Sequence, residues 1–339
     1  MTSANPIDVI ETGYRLDVDH REWLRNIAQA VRPLLDDGFG VIAYAFDVRV
    51  PPQRWLDDAL SLEAHPEVLD FARKVVGAST EVAVKTQVDP EVLQSSLEGL
   101  RRLGIVDTRA IPHWDDYCRR IGIADILALR TIEPGGRGIV IAGCRASPYR
   151  TGRRAKRLWA RVSAHLAAAR RLRAALAASL DDDGEPEAIL TPSGKLEHAT
   201  SETKTPAARE AVRRQEHARG RERKTDPARA AEAWRALVSG RWSLVDRFER
   251  DGRRYLVARA NGHSLPDPRA LSERERAVAH LAALGKPNKL IAYELGLADS
   301  TVASHLGRAI RKLGAKSRVD LVDVLWRLAA ADAGGRPAE

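Results

Sequence analysis

The clearest hydrophobic pattern in the chain lies near its C-terminus, over residues 271–326. Apolar residues recur there at helical spacing, and residues that start or stop helices separate the runs. Ser272 and Glu275 form a capping box for a first helix. Asn288 is placed to cap a second helix, and Gly296 is placed to end it. The pattern therefore predicts a series of short helices.

A third helix is predicted over residues 299–313, and its two faces differ in character. At ~100° per residue, one side is apolar and the other is polar, basic and narrow. The apolar side consists of Val302, Leu306, Ala309, Ile310 and Leu313. The polar side consists of Thr301, Ser304, Gly307, Arg308 and Arg311. Gly314 is predicted to end the helix.

A fourth helix is predicted over residues 318–328, with Ser317 as its cap. Its apolar residues exceed what one core-facing side needs, and they are Leu321, Val322, Val324, Leu325 and Leu328. The second and third helices, joined by the tight turn 296–298, form the skeleton of a helix-turn-helix. A narrow basic face suits the major groove of DNA, where a helix reads base edges while guanidinium groups hold phosphates.

The order and spacing of these residues resemble the LuxR-type (GerE/NarL-like) DNA-binding domain. The matching positions are Leu271-Ser272-Glu273-Arg274-Glu275, Gly285, Asn288-Lys289, Ile291-Ala292, Leu295, Ser300-Thr301-Val302, His305, Lys312-Leu313-Gly314 and Arg318. The resemblance covers only the last fifth of the chain. It implies a bacterial-type transcription regulator whose fourth helix pairs across a dimer, and hence a partially inverted-repeat operator.

The resemblance also implies which residues contact DNA. The family places base-approaching residues just after Thr301-Val302, where this chain has Ala303 and Ser304, with Gly307 one turn later. A lysine is usual at position 303, and a Ser or Thr cap is usual where Ala298 stands. Glycine in a helix costs about 1 kcal/mol relative to alanine. A closer approach to DNA could offset that cost.

The predicted DNA-binding residues combine these positions with nearby cations. They are Lys289, Thr301, Ala303, Ser304, His305, Gly307, Arg308, Arg311 and Lys312. Lys289 and Lys312 are predicted phosphate contacts. For each charged residue the alternative is a solvated helix face, and for His305 it is packing between helices.

Upstream of residue 180, sheet and helix patterns alternate. Residues 1–20 are predicted to be a loose lead-in, followed by a helix over 21–35 and a strand over 38–48. Helices are predicted over 53–62, 66–76 and 90–103, and a hairpin joins 126–132 to 138–142. This element order is GAF-like, an analogy that predicts a sensory domain over residues 1–180.

A long basic helix, over residues 150–180, ends that domain. Five apolar residues and one histidine follow a heptad spacing, at Leu158, Val162, His165, Ala169, Leu172 and Leu176. Such a seam indicates either a dimer or signalling helix, or a helix packed on its own sheet.

Residues 181–262 are predicted to form a small α+β domain, for which PAS-like is one interpretation. It begins with an acidic linker and a hairpin over 187–199, and a highly charged segment follows over 203–223. A helix over 228–238 precedes a second hairpin, over 241–249 and 253–259, that turns at Asp251-Gly252. Residues 263–339 then form the helix-turn-helix domain.

Composition and charge predict the kind of partner the protein binds and the compartment in which it is found. The 339 residues carry a net charge of +9, which favours an anionic partner. The two cysteines, Cys118 and Cys144, have no metal-ligand company, and the chain shows neither a signal sequence nor a run of 18 apolar residues. We therefore predict a cytoplasmic protein without disulfides, metal, cofactors or membrane contact.

An enzymatic function is a weaker alternative. His113, Asp115 and Asp116 lie close in sequence, although carboxylates at a helix start more often serve as caps. The chain has no Walker A, dinucleotide or nucleophile-elbow pattern. We expect no enzyme.

The prediction as a whole is a multi-domain α+β sensory region followed by an all-α four-helix helix-turn-helix domain. Its function is DNA-binding transcription regulation as a homodimer on double-stranded DNA. An unidentified small molecule and RNA polymerase are further candidate partners. The alternative is a small-molecule sensor whose helix-turn-helix acts mainly in protein contact, which Ala303 and Gly307 favour.

Overall fold

A computed structural model describes most of the chain. The described residues are 4–48, 50–87, 89, 91–133, 136–178, 188–191, 195–199, 210, 212–214, 223–234, 242–250, 253–260, 271–313, 315–318, 320–322, 324 and 325. The predicted turns at 192–194 and 251–252, Gly314, residues 326–328 and most of the charged segment 203–223 lie outside them.

The N-terminal region is built on a five-stranded antiparallel sheet. Its strands are β1 Val41–Asp47, β2 Leu60–Leu62, β3 Leu93–Ser95, β4 Asp125–Ile132 and β5 Arg137–Arg145. They lie in the order β2-β1-β5-β4-β3. The predicted hairpin is the β4–β5 pair, in which Ile132 lies opposite Gly138. Most residues of β1 and β5 are buried on both faces of the sheet.

Seven helices accompany this sheet. They are α1 Pro6–Gly13, α2 His20–Leu35, α3 Pro66–Ala78, α4 Thr80–Gln87, α5 Ser96–Arg102, α6 Trp114–Ile121 and α7 Arg153–Ala178. One face of the sheet, through residues such as Leu127 and Ile141, shares a core with α1, α2 and α7. The other face, through residues such as Ile42 and Val140, lies towards α3 and α4.

Three elements differ from the sequence predictions. Residues 4–20 are not a loose lead-in, because α1 forms there with Asn5 as its cap, and its Ile7 and Ile10 are buried in the core. Pro6 at the first helical position was the available signal. Residues 53–62 are not one helix: a 3₁₀ turn, Pro52–Leu56, leads into β2, whose burial alternates with period two.

The predicted helix over 90–103 is also divided. Its first part pairs with β4 as β3, and Ser95 then caps α5 through a capping box with Glu98. Two helices that were not predicted, α4 and α6, complete this side of the sheet. Both are only eight residues long, which gives little periodicity to recognise.

The long helix α7 packs on its own sheet. Val162, His165, Ala169 and Leu172 of the heptad seam are all buried within this chain. Ser163 donates a hydrogen bond to the carbonyl oxygen of Arg130 on β4 at 2.8 Å. Of the two interpretations of the seam, packing within the chain is therefore the one observed.

A second sheet follows α7. Its strands are β6 Ala188–Leu190, β7 Leu196–Ala199, β8 Trp242–Arg250 and β9 Arg253–Ala260, in the order β7-β6-β9-β8. All of its pairs are antiparallel, so both predicted hairpins are present. A helical turn, Arg223–Thr225, precedes α8 Pro227–Ala233, and Trp234 beside it is buried in a cluster with residues of α1 and α7.

Three helices form the C-terminal unit. They are α9 Glu273–Ala283, α10 Asn288–Leu295 and α11 Asp299–Leu313. The start of the fourth predicted helix is present, because the Asp320 backbone N–H donates to the Ser317 hydroxyl at 3.1 Å. In the part of the chain that the structure describes, no helix is both long and apolar enough to cross a membrane.

Candidate nucleic-acid interface

The three C-terminal helices share one apolar core. Val278 and Leu281 of α9, Ile291 of α10, and Val302 and Leu306 of α11 are all buried in it. The predicted apolar face of α11 is confirmed, since Ala309 and Leu313 are also buried and Ile310 packs against them. This packing fixes which side of α11 is presented to solvent.

Local capping sets the helix ends. Both bonds of the predicted capping box are present: the Glu275 N–H donates to the Ser272 hydroxyl at 3.3 Å, and the Ser272 N–H donates to the Glu275 carboxylate at 3.0 Å. Gly296 ends α10 with a left-handed backbone, φ 65°, which suits a residue without Cβ. The tight turn to α11 depends on that conformation.

The prediction that Asn288 caps α10 is wrong. Pro287 is the capping residue and Asn288 is the first helical residue. The Asn288 side chain instead accepts a hydrogen bond from Arg318 at 3.1 Å, and Arg318 also donates to the carbonyl oxygen of Lys286. Arg318, a residue of the motif, therefore links the start of the fourth predicted helix to the turn between α9 and α10.

The polar face of α11 is exposed. Ala303, Ser304, Gly307, Arg308 and Arg311 all lie on the surface, whereas Thr301 and His305 are half-buried. The structure thus brings five of the nine predicted residues together on one exposed strip. Lys289, at the start of α10, is also exposed.

The two arginines on this strip bond only to their own helix. Arg308 Nη2 donates to the Ser304 hydroxyl at 3.2 Å, and Arg311 Nε donates to the Gly307 carbonyl oxygen at 3.4 Å. Among the described residues, neither guanidinium forms an ion pair with a carboxylate. Both charges therefore remain available to an anion outside the protein.

Gly307 directly precedes Arg308 and lies one helical turn before Arg311. A Cβ atom built at this position would meet no atom within 4 Å, so packing within the described residues does not require glycine here. Together with Ala303, the missing side chain makes a shallow section in the middle of the strip. A DNA groove could approach the backbone of α11 most closely at this point.

Lys312 has a different environment from the two arginines. Its Nζ lies 2.7 Å from the Glu275 carboxylate of α9, and this ion pair ties α11 to α9. The hydrogen bond from Lys312 lowers the pKa of Glu275 to about 2. Since the ammonium group is already paired, Lys312 is less suited to hold a phosphate than Arg308 or Arg311.

A buried ion pair that the sequence analysis did not predict joins the turn before α10 to the end of that helix. Lys286 Nζ and the Glu294 carboxylate are 2.7 Å apart, and both side chains are only 4% exposed. Burial of two charges is costly unless they are paired. A lysine beside Gly285, eight residues ahead of a glutamate in an apolar helix, was the only sequence signal.

Helix α10 also contacts the upstream region through Tyr293. The Tyr293 hydroxyl donates to the Ala231 carbonyl oxygen at 2.7 Å and lies 3.0 Å from His165 Nε2 of α7. Burial lowers the pKa of His165 to about 3, so the ring is neutral. With its proton on Nε2, His165 donates to the hydroxyl, and both hydrogen bonds are satisfied at once.

A cation completes this contact. The Arg161 guanidinium lies 5.2 Å from the centre of the Tyr293 ring, donates to the Ala228 carbonyl oxygen at 3.0 Å and pairs with Glu232 at 3.3 Å. Helix α10 is therefore held by α7 and by the segment around α8. Its apolar residues on several sides were the sequence signal for a second packing surface.

Comparison with known proteins agrees with this geometry. The sequence profile of "Bacterial regulatory proteins, luxR family" matches residues 269–325. Spore germination protein GerE of Bacillus subtilis is 41% identical over 58 residues, which cover 17% of this chain and 78% of GerE. The chain belongs to the luxR family of bacterial regulatory proteins. The predicted resemblance is confirmed for the C-terminal unit.

The other comparisons set the extent of that membership. Nodulation protein W of Bradyrhizobium diazoefficiens is 43% identical over 82 residues, and the match covers 24% of this chain and 35% of that relative. The chain thus matches only about a third of this relative's length. A crystal structure of Escherichia coli SdiA aligns over 94% of both chains with 13% identity and a TM-score of 0.29, which is too low to establish a shared fold.

The three residues considered for catalysis lie elsewhere. His113 is exposed, Asp115 accepts a hydrogen bond from the Thr108 hydroxyl at 2.8 Å, and Asp116 pairs with Arg119 at 2.7 Å. Within the described residues, no group of three or more His, Cys, Asp or Glu side chains could hold a metal ion.

Proposed function

We propose that this LuxR-family chain is a transcription regulator that binds duplex DNA with α11 in the major groove. The observation that carries the proposal is the exposed strip of α11, on which Arg308 and Arg311 form no ion pair with any described carboxylate. Arg308, Arg311 and Ser304 are assigned to base edges or adjacent phosphates. Lys289 is assigned to a phosphate.

The remaining predicted residues have lesser roles. Ala303 and Gly307 allow close approach of the backbone, while Thr301 and His305 are half-buried at the margin of the strip. Lys312 contributes mainly through its pair with Glu275. No catalytic role is assigned to any residue, and a regulator of this kind would act in the cytoplasm, where the DNA is.

A homodimer on a partially inverted repeat completes the DNA-binding proposal. Leu321 and Leu325 are buried, whereas Val322 and Val324 are half-buried and present apolar surface. Apolar surface of this kind suits pairing with a second copy. RNA polymerase remains a candidate further partner.

We assign residues 1–180 and 181–262 to the control of the DNA-binding unit, residues 263–339. Tyr293 supports this assignment, because its buried hydroxyl joins α10 to both α7 and the segment around α8. A change in α7 would therefore be transmitted to the helix that precedes α11. The exposed strip of α11 is not part of this contact.

The test is selection of fragmented genomic DNA by the full chain, with the bound DNA sequenced. The wild type is expected to enrich a common site with two related halves, and Arg308→Glu is expected to enrich none. Arg101→Glu changes the net charge equally at an exposed residue of α5 and should behave as the wild type. Enrichment of the same site by Arg308→Glu would contradict the proposal.

The second candidate function is a sensor whose helix-turn-helix acts mainly in protein contact. Ala303 and Gly307 favour it, because they remove side chains that could read bases. In that case Arg308→Glu would leave binding of a protein partner intact, and the wild type would select no common DNA site.

A further inference from the structure

A cavity lies in the N-terminal region, far in sequence from the helix-turn-helix. It lies between helices α3 and α4 and the face of the five-stranded sheet that carries Ile42 and Val140, is partly open to solvent, and has a volume of about 130 Å³. Most of its wall is apolar, and Val68, Phe71, Trp114, Val140 and Ala142 are representative. A largely apolar cavity with a few polar groups is the usual form of a small-molecule site.

Two glutamines and an arginine line the cavity and are more than nine-tenths buried. They are Gln87, Gln94 and Arg130, with 6%, 1% and 4% of their surface exposed. Among the described residues, Gln87 Oε1, Gln94 Nε2 and Arg130 Nε have no hydrogen-bond partner. Buried polar atoms are rarely left unpaired, because each one costs free energy.

Arg130 is the most informative of the three. Its Nη1 donates to the Thr86 carbonyl oxygen at 2.6 Å and its Nη2 to the Glu91 carbonyl oxygen at 2.8 Å. These bonds fix the guanidinium but do not neutralise it, and no carboxylate among the described residues forms an ion pair with it. Burial lowers its pKa to about 10, so it remains charged at neutral pH.

The neighbouring polar groups are oriented by bonds of their own. Arg102 donates to Gln94 Oε1 and also pairs with Asp89, which leaves the Gln94 amide hydrogens unused. Gln87 Nε2 donates to the Tyr44 hydroxyl at 3.2 Å, so the Tyr44 hydrogen can point elsewhere. Donors therefore outnumber acceptors at this end of the cavity, and one of them carries a positive charge.

The volume limits the size of a ligand. An engineered apolar cavity of about 150 Å³ in another protein binds benzene. A cavity of about 130 Å³ therefore suits a compound with a single ring or a short alkyl chain.

We propose that this cavity binds a small carboxylic acid as its anion, with the carboxylate on Arg130 and Gln94 and the apolar body against Phe71 and Val140. The carboxylate supplies the acceptors that the donor-rich end lacks, and the phenyl or alkyl group covers the apolar wall. The role of this site is to recognise a ligand, independently of the α11 strip.

The test is titration of the full chain with benzoate, phenylacetate, butanoate, hexanoate and octanoate by calorimetry and thermal shift at neutral pH. At least one acid is expected to bind saturably at one site per chain. The primary alcohol of the same skeleton should bind at least tenfold more weakly, because it lacks the anionic acceptors. Equal affinity of acid and alcohol would overturn the assignment of a carboxylate site, as would the absence of saturable binding by every acid up to 10 mM.

Variants locate the site. Arg130→Met should weaken binding of the acid at least tenfold, and Arg101→Met, at an exposed arginine of α5, should not change it. If Arg130→Met does not fold, Ala142→Leu is the variant that tests the site. It fills the cavity without removing a hydrogen bond, and it should also abolish binding. Unchanged affinity in Ala142→Leu would show that the acid binds elsewhere and would overturn the proposal. None of these readouts involves DNA.

Discussion

Helices α10 and α11 are joined by a short turn, yet they differ in the exposure of prominent polar side chains: those on and beside α10 are buried, and those on α11 are exposed to solvent. On and beside α10, Lys286, Tyr293 and Glu294 are all buried and bonded within the protein. On α11, Arg308 and Arg311 are exposed, and their bonds to described residues are confined to their own helix. The buried polar groups on and beside α10 therefore hold the protein together, whereas these two arginines of α11 are available to a partner.

This difference predicts a division of mutational effects. Substitutions on the inward set should lower the free energy of unfolding, because each leaves a buried partner unpaired. Substitutions on the outward strip should lower DNA affinity and leave stability nearly unchanged, because solvent already surrounds those groups. A residue that did both would break the comparison.

The largest effect is expected for Lys286→Met. It leaves the Glu294 carboxylate buried without its cation, and breaking a buried pair in this way costs about 3–5 kcal/mol. Chemical denaturation would measure the loss. The double variant Lys286→Met/Glu294→Leu should recover most of it, and a single-variant loss below about 1 kcal/mol would mean that the pair is not buried in solution.

Arg308→Glu should have the largest effect on the outward strip. Loss of a base or phosphate contact and the added repulsion should weaken DNA binding about 100-fold, or roughly 2.7 kcal/mol. Fluorescence anisotropy with a selected site would measure it, with Arg101→Glu as the charge-matched control. A change in melting temperature of more than a few degrees would show that Arg308 is structural after all.

Tyr293→Phe tests the contact between α10 and the upstream region. The ring and its stacking with Arg161 remain, but His165 Nε2 and the Ala231 carbonyl oxygen each lose a partner. We expect the chain to lose about 2 kcal/mol of unfolding free energy. Tyr149→Phe, at a half-buried tyrosine of the same chain, should cost much less. Equal losses in the two variants would show that the Tyr293 hydroxyl has no special role.

Gly307→Ala should change stability and affinity in opposite directions. Alanine stabilises a helix interior by about 1 kcal/mol relative to glycine, and the space around Gly307 is open. Its methyl group would, however, stand between α11 and the groove and weaken DNA binding several-fold. Thermal unfolding and anisotropy on the same preparation would test both. An unchanged affinity would place Gly307 outside the interface.

The smallest predicted effect concerns acid pH. The folded-state pKa of Glu275 is lowered to about 2, below the value near 4.5 that is usual for glutamate. Its contribution to stability is therefore complete above the usual value and is lost as the pH falls through about 2. Glu275→Gln should flatten the pH dependence of unfolding in that interval. An unchanged profile would mean that Lys312 does not pair with Glu275 in solution.

Elements whose pattern is carried by neighbouring residues could mostly be predicted from the sequence. The span Asp299–Leu313 and the Ser272–Glu275 capping box are both as expected, because periodicity and capping are properties of neighbouring residues. Asn288 was misassigned because Pro287 takes the capping position. Its side chain is used by Arg318, thirty residues away, which no local pattern indicates.

Features that depend on distant residues could not be predicted in this way. The Tyr293 contact joins positions 165, 231 and 293, and the Arg130 cavity joins β4 to helices that were not predicted, α4 among them. In the first case the sequence shows only a tyrosine in an apolar helix, and in the second only an arginine in an apolar strand. Their meaning depends on the topology of the sheet and on the helices that cover it.

The most direct test of the central claim is the salt dependence of DNA binding by the full chain. Released counterions should make the logarithm of affinity fall linearly with the logarithm of salt concentration, with a slope near −0.9 for each phosphate contact. We predict a steep slope for the wild type and for Arg101→Glu, and a shallower slope with much lower affinity for Arg308→Glu. A flat dependence shared by all three would contradict the assignment of the α11 strip to DNA.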